Sequence, residues 1–244
     1  YPIYDVSVSD NGYYAIATKD DVYKGIVDVY NNNFKQITRI KKNKYIVSVD
    51  MDKDGGNVLV TSFFSNGQGE IVTEISLHPT DSKNAVFTVN FNGLVPCEAR
   101  FLNDGTVAFV STKELLFLSS NGATISSYEY GQADMKFYSI GPDSVALCSA
   151  GRKNTLNAEI TDCFPNAEPI KYSADGPCVL ISKLSGKLYF YNGKTLNEYD
   201  SEGKLTGSIS RNDLQFILSD AENETYLCGN TRIEKAVFTE KENS

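Results

Sequence analysis

The stretch Ile3-Tyr4-Asp5-Val6-Ser7-Val8-Ser9-Asp10-Asn11-Gly12-Tyr13-Tyr14-Ala15-Ile16-Ala17-Thr18 decides the fold. From Ile3 to Ser9 the residues alternate, as they do in a strand with one face buried. Asp10-Asn11-Gly12 then turns the chain, because Asp, Asn and Gly tolerate positive φ. Tyr13–Thr18 returns as a second strand. Gly25–Tyr30 and Phe34–Ile40 read as a third and a fourth, joined by Asn31-Asn32-Asn33. One antiparallel four-stranded sheet is therefore expected between Ile3 and Ile40.

The same order recurs to the end of the chain. Turn signals stand at Gly12, Gly55, Gly105, Asp143, Gly186 and Asn223, at steps of roughly 43, 50, 38, 43 and 37 residues. The second unit is expected at Tyr45–Asp50, Asn57–Phe64, Glu70–Leu77 and Ala85–Val89, with an excursion over His78–Asn84. The third uses Cys97–Leu102, Thr106–Ser111, Glu114–Leu118 and Thr124–Tyr130. The fourth uses Met135–Ile140, Ser144–Ser149, Thr155–Ile160 and Glu168–Tyr172. The fifth uses Cys178–Leu184, Lys187–Tyr191, Thr195–Tyr199 and Lys204–Ser210. A sixth offers Leu214–Ser219, Thr225–Cys228 and Ile233–Phe238, then stops. A second landmark agrees: Tyr30-Asn31-Asn32-Asn33-Phe34-Lys35, Leu118-Ser119-Ser120-Asn121-Gly122 and Tyr199-Asp200-Ser201-Glu202-Gly203-Lys204 lie about two periods apart.

A period of about 40 to 50 residues is what one four-stranded propeller blade needs. The sequence therefore predicts an all-β fold, a β-propeller of antiparallel four-stranded blades with about six blade units visible and room for seven or eight in a full ring. No stretch shows the apolar 3.6-residue spacing of a capped helix. The expected organisation is a single domain over residues 1–239 and a disordered tail over 240–244. Because the sixth unit lacks a fourth strand, further sequence upstream of Tyr1 is expected.

The run Val6-Ser7-Val8-Ser9-Asp10-Asn11-Gly12-Tyr13, continued by Asp21-Val22-Tyr23-Lys24-Gly25-Ile26-Val27-Asp28-Val29-Tyr30, resembles a family of uncharacterised bacterial proteins common in clostridial relatives, a domain of unknown function. Ala99-Arg100-Phe101-Leu102-Asn103-Asp104-Gly105 and Tyr199-Asp200-Ser201-Glu202-Gly203-Lys204 fit it too. The resemblance implies a WD-repeat-like or quinoprotein-like propeller behind an N-terminal membrane anchor, facing outward. It implies no activity, since the family has no assigned catalytic residues.

Composition narrows the partners. A net charge of −8 argues against nucleic acid, whose phosphates demand a basic face, and against anionic lipid. The longest apolar runs, Val107–Val110 and Leu115–Leu118, are far too short to span a membrane as a helix. Cys97, Cys148, Cys163, Cys178 and Cys228 are widely spaced and odd in number. They read as buried free thiols behaving as small apolar residues, with a Cys148–Cys163 disulfide left open.

Few residues suggest chemistry. Asp50-Met51-Asp52-Lys53-Asp54-Gly55 opens like a calcium loop, but the twelfth position is Thr61 and the ninth Val58. An ordinary hairpin turn is the simpler reading of Asp50, Asp52 and Asp54. His78, the single histidine, reads as a loop residue in Leu77-His78-Pro79-Thr80-Asp81; any Ser-His-Asp hydrolase would have to use it, and no Gly-x-Ser-x-Gly elbow exists. Lys41-Lys42-Asn43-Lys44 reads as a solvated connection between blades. Asn223-Glu224-Thr225 matches a glycosylation sequon by pattern alone. Sialidase-type and quinone-cofactor propellers rely on Trp-bearing repeats, and the chain has no Trp.

No catalytic, cofactor or metal residues are therefore assigned, and no cofactor is expected. The leading expectation is a non-catalytic scaffold outside the cell membrane that binds a protein or a cell-wall polymer, with Tyr residues at the rims suited to recognition. The alternative is a carbohydrate-active lyase or glycosidase using acidic and Tyr groups in a central channel. A calcium-stiffened structural module is the third reading.

Overall fold

The computed structural model describes residues 1–130, 135–150, 157–220 and 222–240. Every regular element among them is a strand, and the strands form six antiparallel sheets in chain order. The first sheet holds β1 (Asp5–Val8), β2 (Tyr14–Thr18), β3 (Gly25–Tyr30) and β4 (Gln36–Lys42). The second holds β5 (Tyr45–Met51), β6 (Asn57–Ser65), β7 (Ile71–Pro79) and β8 (Phe87–Asn92). The third holds β9 (Pro96–Phe101), β10 (Val107–Ser111), β11 (Glu114–Leu118) and β12 (Thr124–Glu129). The fourth holds β13 (Met135–Ile140), β14 (Val145–Ala150), β15 (Ala158–Phe164) and β16 (Ala167–Ala174).

The fifth sheet has β17 (Leu180–Leu184), β18 (Lys187–Tyr191), β19 (Thr195–Tyr199) and β20 (Leu205–Ser210), and the sixth β21 (Leu214–Ser219), β22 (Thr225–Gly229) and β23 (Ile233–Lys235). The chain then returns: β24 (Thr239–Glu240) pairs with β20 as a fifth strand, Gly207 opposite Glu240. Phe238 steers this return. Its Cβ lies where a side chain on Gly207 would have to go, and its ring sits 5.7 Å from that of Tyr189. Of the expected tail, residues 241–244 lie outside the described residues. The residues fall into two compact units, Tyr1–Glu129 and one from Tyr130 onward.

All six turn markers fall between the first and second strands of their sheets. One five-residue turn is reused. The first N–H donates to the fifth carbonyl and the fourth N–H to the first carbonyl, at Ser9–Tyr13, Asn31–Lys35, Asn66–Glu70, Leu102–Thr106, Ser119–Ala123 and Asp200–Lys204. Its fourth residue sits at positive φ, which explains Gly12, Gly69, Gly105, Gly122 and Gly203. An Asn or Asp in the first place caps the turn through its own side chain: Asp200 Oδ1 accepts from Glu202 N–H and Lys204 N–H, and Asn31 Oδ1 from Asn33 and Lys35 in the same way.

Several expected boundaries move, among them Ala85–Val89, which is Phe87–Asn92, and four others whose cause is visible. β4 runs on to Lys42, whose partner is Gly25, so the basic run begins inside a strand. β7 includes His78 and Pro79, because β6 keeps pairing there, Val58 with His78 and Asn57 with Pro79. The third strand of the fourth sheet, expected at Thr155–Ile160, is Ala158–Phe164; it buries Ala158, Ile160 and Asp162 on one face. The last expected strand, Ile233–Phe238, ends at Lys235, before the crossing to the fifth sheet.

Neighbouring sheets share cores within each unit. Ala15, Ala17, Val27 and Val29 of the first sheet pack with Val49, Met51, Val58 and Val60 of the second. Leu59, Ile75 and Leu77 of the second meet Ala99, Val107 and Phe109 of the third. In the other unit Cys148 and Ile160 meet Leu188 and Phe190, and Tyr189 and Leu196 meet Ile217 and Leu227. A sheet buries its apolar face against another layer, and within each unit the repeat next along the chain supplies it.

Candidate functional site

The first strand of each sheet is an edge whose outward N–H groups need acceptors. For the second, third and fifth sheets the preceding first strand provides them. Asp5 Oδ2 accepts from Val49 N–H (2.9 Å) and Ser7 Oγ from Met51 N–H (2.9 Å). One sheet on, Ser48 Oγ accepts from Ala99 N–H (3.3 Å) and Asp50 Oδ2 from Phe101 N–H (2.8 Å). In the second unit Ser139 Oγ accepts from Lys183 N–H (2.8 Å). These braces explain why polar residues alternate with apolar ones on the first strands.

This arrangement disperses the acidic triplet of the calcium-like loop. Asp50 is a brace, and its other oxygen accepts from Ser7 Oγ (3.0 Å). Asp52 caps the turn, accepting from Gly56 N–H, Asn57 N–H and Asn57 Nδ2. Asp54 offers its carbonyl to Asn11 Nδ2 at 2.6 Å. Among the described residues no group of three or more His, Cys, Asp or Glu is placed to hold a metal ion. Burial pushes the Asp50 carboxyl up to about 6, against the pull of Phe101 N–H and Ser7. Arg100, paired with Glu98 at 2.5 Å, contributes a nearby positive charge.

His78 is a buried strand residue rather than a loop residue. A directed chain of donors runs through it: Lys42 Nζ donates to Ser76 Oγ (2.7 Å), Ser76 Oγ faces His78 Nε2 (3.1 Å), and His78 Nδ1 faces the Lys83 carbonyl (3.1 Å). A neutral imidazole with its proton on Nδ1 satisfies every link. Burial, and then the Lys42 charge, hold the His78 pKa down to about 4. Ser76 is buried and its oxygen already receives a Lys proton, so it does not present a nucleophile to a substrate. Lys42 and Lys44 both bind Glu74. The basic run is thus fully exposed only at Lys41 and Asn43.

A second buried ion pair joins Lys183 of β17 to Asp162 of β15, both side chains 3% exposed. Lys183 Nζ also lies 5.8 Å from the centre of the Phe164 ring. Among the described residues Asp162 Oδ1 and the Tyr172 hydroxyl have no hydrogen-bond partner. Burial, and the Asp162 charge after it, drive the Tyr172 phenol well above its usual range. The pair is buried where the fourth sheet meets the fifth and reads as structural.

The accessible chemistry lies on the outer face of the first sheet. Tyr14 and Tyr30 are paired across β2 and β3, and their rings stack at 4.8 Å with 7° between planes. Phe34 joins them, 6.1 Å from Tyr14 and 80% exposed. Beside the rings Asp28 holds Arg39 through two hydrogen bonds (2.6 and 2.8 Å) and accepts from Gln36 Nε2 at 2.7 Å. Burial and the Asp28 charge raise the Tyr30 phenol above its ordinary value.

Phe34 is out of place by local rules. It occupies the fourth position of the recurrent turn at φ +60°, where Gly122 and Gly203 stand in the third and fifth sheets. In those sheets a Cβ would run into a ring from the preceding sheet, 2.7 Å from Phe87 Cδ2 and 2.9 Å from Tyr172 Cδ1 respectively. In the first sheet the hairpin carries the ring itself, and the ring faces outward. A phenylalanine in the left-handed region costs about 1–2 kcal/mol, and such outliers gather where function requires them. The signal was present in the sequence: aligning the three turns sets Phe34 against two glycines.

The chain belongs to DUF5711, a family of unknown function, whose sequence profile matches residues 1–237. No curated protein matches it. Solved structures are similar in fold. BamB from Moraxella catarrhalis aligns at TM-score 0.55 and 13% identity, over 96% of this chain and 74% of that one. Hsv2 from Kluyvelomyces marxianus gives 0.61 and 13%, over 100% and 75%. Hydrazine synthase from Kuenenia stuttgartiensis gives 0.59 and 10%, over 92% and 73%. At such identities the likeness is one of fold alone, and the fold is a β-propeller.

Proposed function

From that family and that fold, we propose that the chain is a non-catalytic scaffold outside the cell membrane, tethered by an upstream anchor, which binds a cell-wall polymer through the outer face of its first sheet. The observation that carries the reading is the Tyr30–Tyr14–Phe34 platform, with its strained and exposed outermost ring. Flat rings bordered by amides and a fixed carboxylate–guanidinium pair suit a sugar chain, which offers apolar C–H faces and hydroxyls together. A net charge of −8 favours a neutral polysaccharide over an anionic one. The buried ionisable groups have structural work instead: Asp50 braces an edge, Glu74 neutralises two lysines and Asp162 one.

The test is co-sedimentation of the purified chain with insoluble chitin, cellulose and peptidoglycan. Retention is expected on at least one of them, and Phe34→Ala with Tyr14→Ala is expected to lower it at least tenfold with the melting curve little changed. Retention that ignores both substitutions, binding to none of the three, or release of reducing sugar at enzyme-like rates overturns the proposal. The last result would favour the lyase or glycosidase reading. Exclusive capture of a protein would do the same for the protein-binding one.

A further inference from the structure

We propose that the outer face of the first sheet is a strip with two ring subsites, Tyr14–Tyr30–Phe34 at one end and Tyr23–Lys41 at the other, built for a linear, low-charge glycan of several residues rather than for a single sugar. The inference rests on the reading of that face given above and adds its second end and the length of its ligand. The ladder of β3 and β4 lays out the strip. Tyr30, Asp28 and Ile26 stand two places apart on β3, opposite Gln36, Arg39 and Lys41 of β4 in turn, so these side chains leave the sheet on one face. From Tyr30 to Ile26 is about 13 Å at the rise of a strand. Phe34 extends the strip beyond Tyr30, and Tyr23 extends it beyond Ile26.

The far end is as firmly built as the near one. Lys41 Nζ lies 4.9 Å from the centre of the Tyr23 ring; the ring is half-buried and the lysine exposed. Tyr23 is fixed by its own turn. Asp20 Oδ1 accepts from Val22 N–H (2.8 Å) and Tyr23 N–H (2.6 Å), and Asp20 N–H donates to the Tyr23 carbonyl (3.2 Å). The subsite is therefore ordered before a ligand arrives, which lowers the entropy cost of binding. The two cations of the strip both have carboxylates beside them. Arg39 is bound by Asp28. The Tyr23 N–H holds the Asp20 carboxyl below its usual range, and the Lys41 and Arg39 charges add to the effect, so Asp20 answers both. Such a balanced strip exerts little pull on a polyanion. The rings at its ends suit the apolar C–H faces of sugars, and the guanidinium, amide and ammonium groups between them donate to hydroxyls. A chain that reaches both ends gains by linkage what neither end supplies alone.

The test is calorimetric titration of the intact chain with soluble fragments of two and six sugars from chitin, cellulose and peptidoglycan, and with hexagalacturonate as the charged counterpart. For at least one of the three polymers the six-sugar fragment is expected to bind at least about tenfold more tightly than the two-sugar fragment. Tyr23→Ala should weaken the six-sugar fragment about fivefold and leave the two-sugar fragment unchanged. Tyr23→Phe keeps a ring beneath Lys41 and should bind as the parent does. Equal affinities for the two lengths, a six-sugar affinity that ignores Tyr23→Ala, or tighter binding of hexagalacturonate overturns this inference. If Phe34→Ala still weakens binding in that case, the near subsite stands and only the far one falls. Binding of no fragment overturns both.

Discussion

Lys183→Met is the sharpest probe of how the second unit is held together. Lys183 and Asp162 are each 3% exposed on their side chains, so neither charge leans on solvent. Met keeps the Cβ and Cγ that lie against Gly141, where a side chain on that glycine would come within 2.3 Å of Lys183 Cγ. The substitution therefore removes the charge with little change of shape. What remains is a buried carboxylate with one oxygen already lacking a partner. Stripping one member from a buried pair costs about 3–5 kcal/mol, whereas replacing both by apolar groups is often neutral or better. Lys183→Met should thus lower the melting temperature by roughly 6–20 °C, at about 2–4 °C per kcal/mol for a chain of this size. Adding Asp162→Leu should bring it back to within about 4 °C of the parent. Far-UV circular dichroism melts measure both. A double variant as unstable as the single, or a single variant within 1 °C of the parent, refutes the argument.

Two further outcomes follow from the braces and the turns. The Asp50 carboxyl stands near 6 in the fold against 3.8 in a model peptide, so the folded state holds its proton more tightly. Its stabilising contribution is complete below about pH 4 and fades as pH rises through 6. Asp50→Asn keeps an acceptor for Phe101 N–H and offers a donor to Ser7, so it should remove this slope and gain about 1–2 kcal/mol at pH 7.5 in urea titrations. A variant with the parent's slope between pH 5 and 7 would show that the carboxylate is solvated. Gly203→Ala should cost roughly 2–4 kcal/mol, from a strained φ of +78° and contact with Tyr172, whereas Phe34→Gly in the same turn should change stability by about 1 kcal/mol or less. Equal losses in the two would mean that the turns are not equivalent.

What could be read in the sequence and what could not differ in how far along the chain the cause lies. The turns were legible because their requirement is local: one residue at positive φ, often an Asn, Asp or Ser three places earlier, and strands on either side. Gly25–Tyr30, Glu114–Leu118 and Lys187–Tyr191 fall where the alternation put them for the same reason. Lys42, Lys44 and His78 were misread because their surroundings are decided by Glu74 and Ser76, thirty or more residues from the lysines and on the second sheet. A Pro after His78 looked like a stop, yet Pro79 tolerates the strand end because β7 has only β6 for a neighbour there. Nothing in the sequence marked Asp162, whose partner Lys183 lies twenty-one residues on. Phe34 belongs to a third class. Its oddity is local and visible, but only against the other turns, since an Asn-rich stretch with one aromatic is unremarked by itself. A repeat protein supplies its own controls in this way: of the three turns between third and fourth strands, two carry glycine at the fourth place and the first carries an exposed phenylalanine. The exposed ring on the first sheet is for that reason the place to look for a ligand.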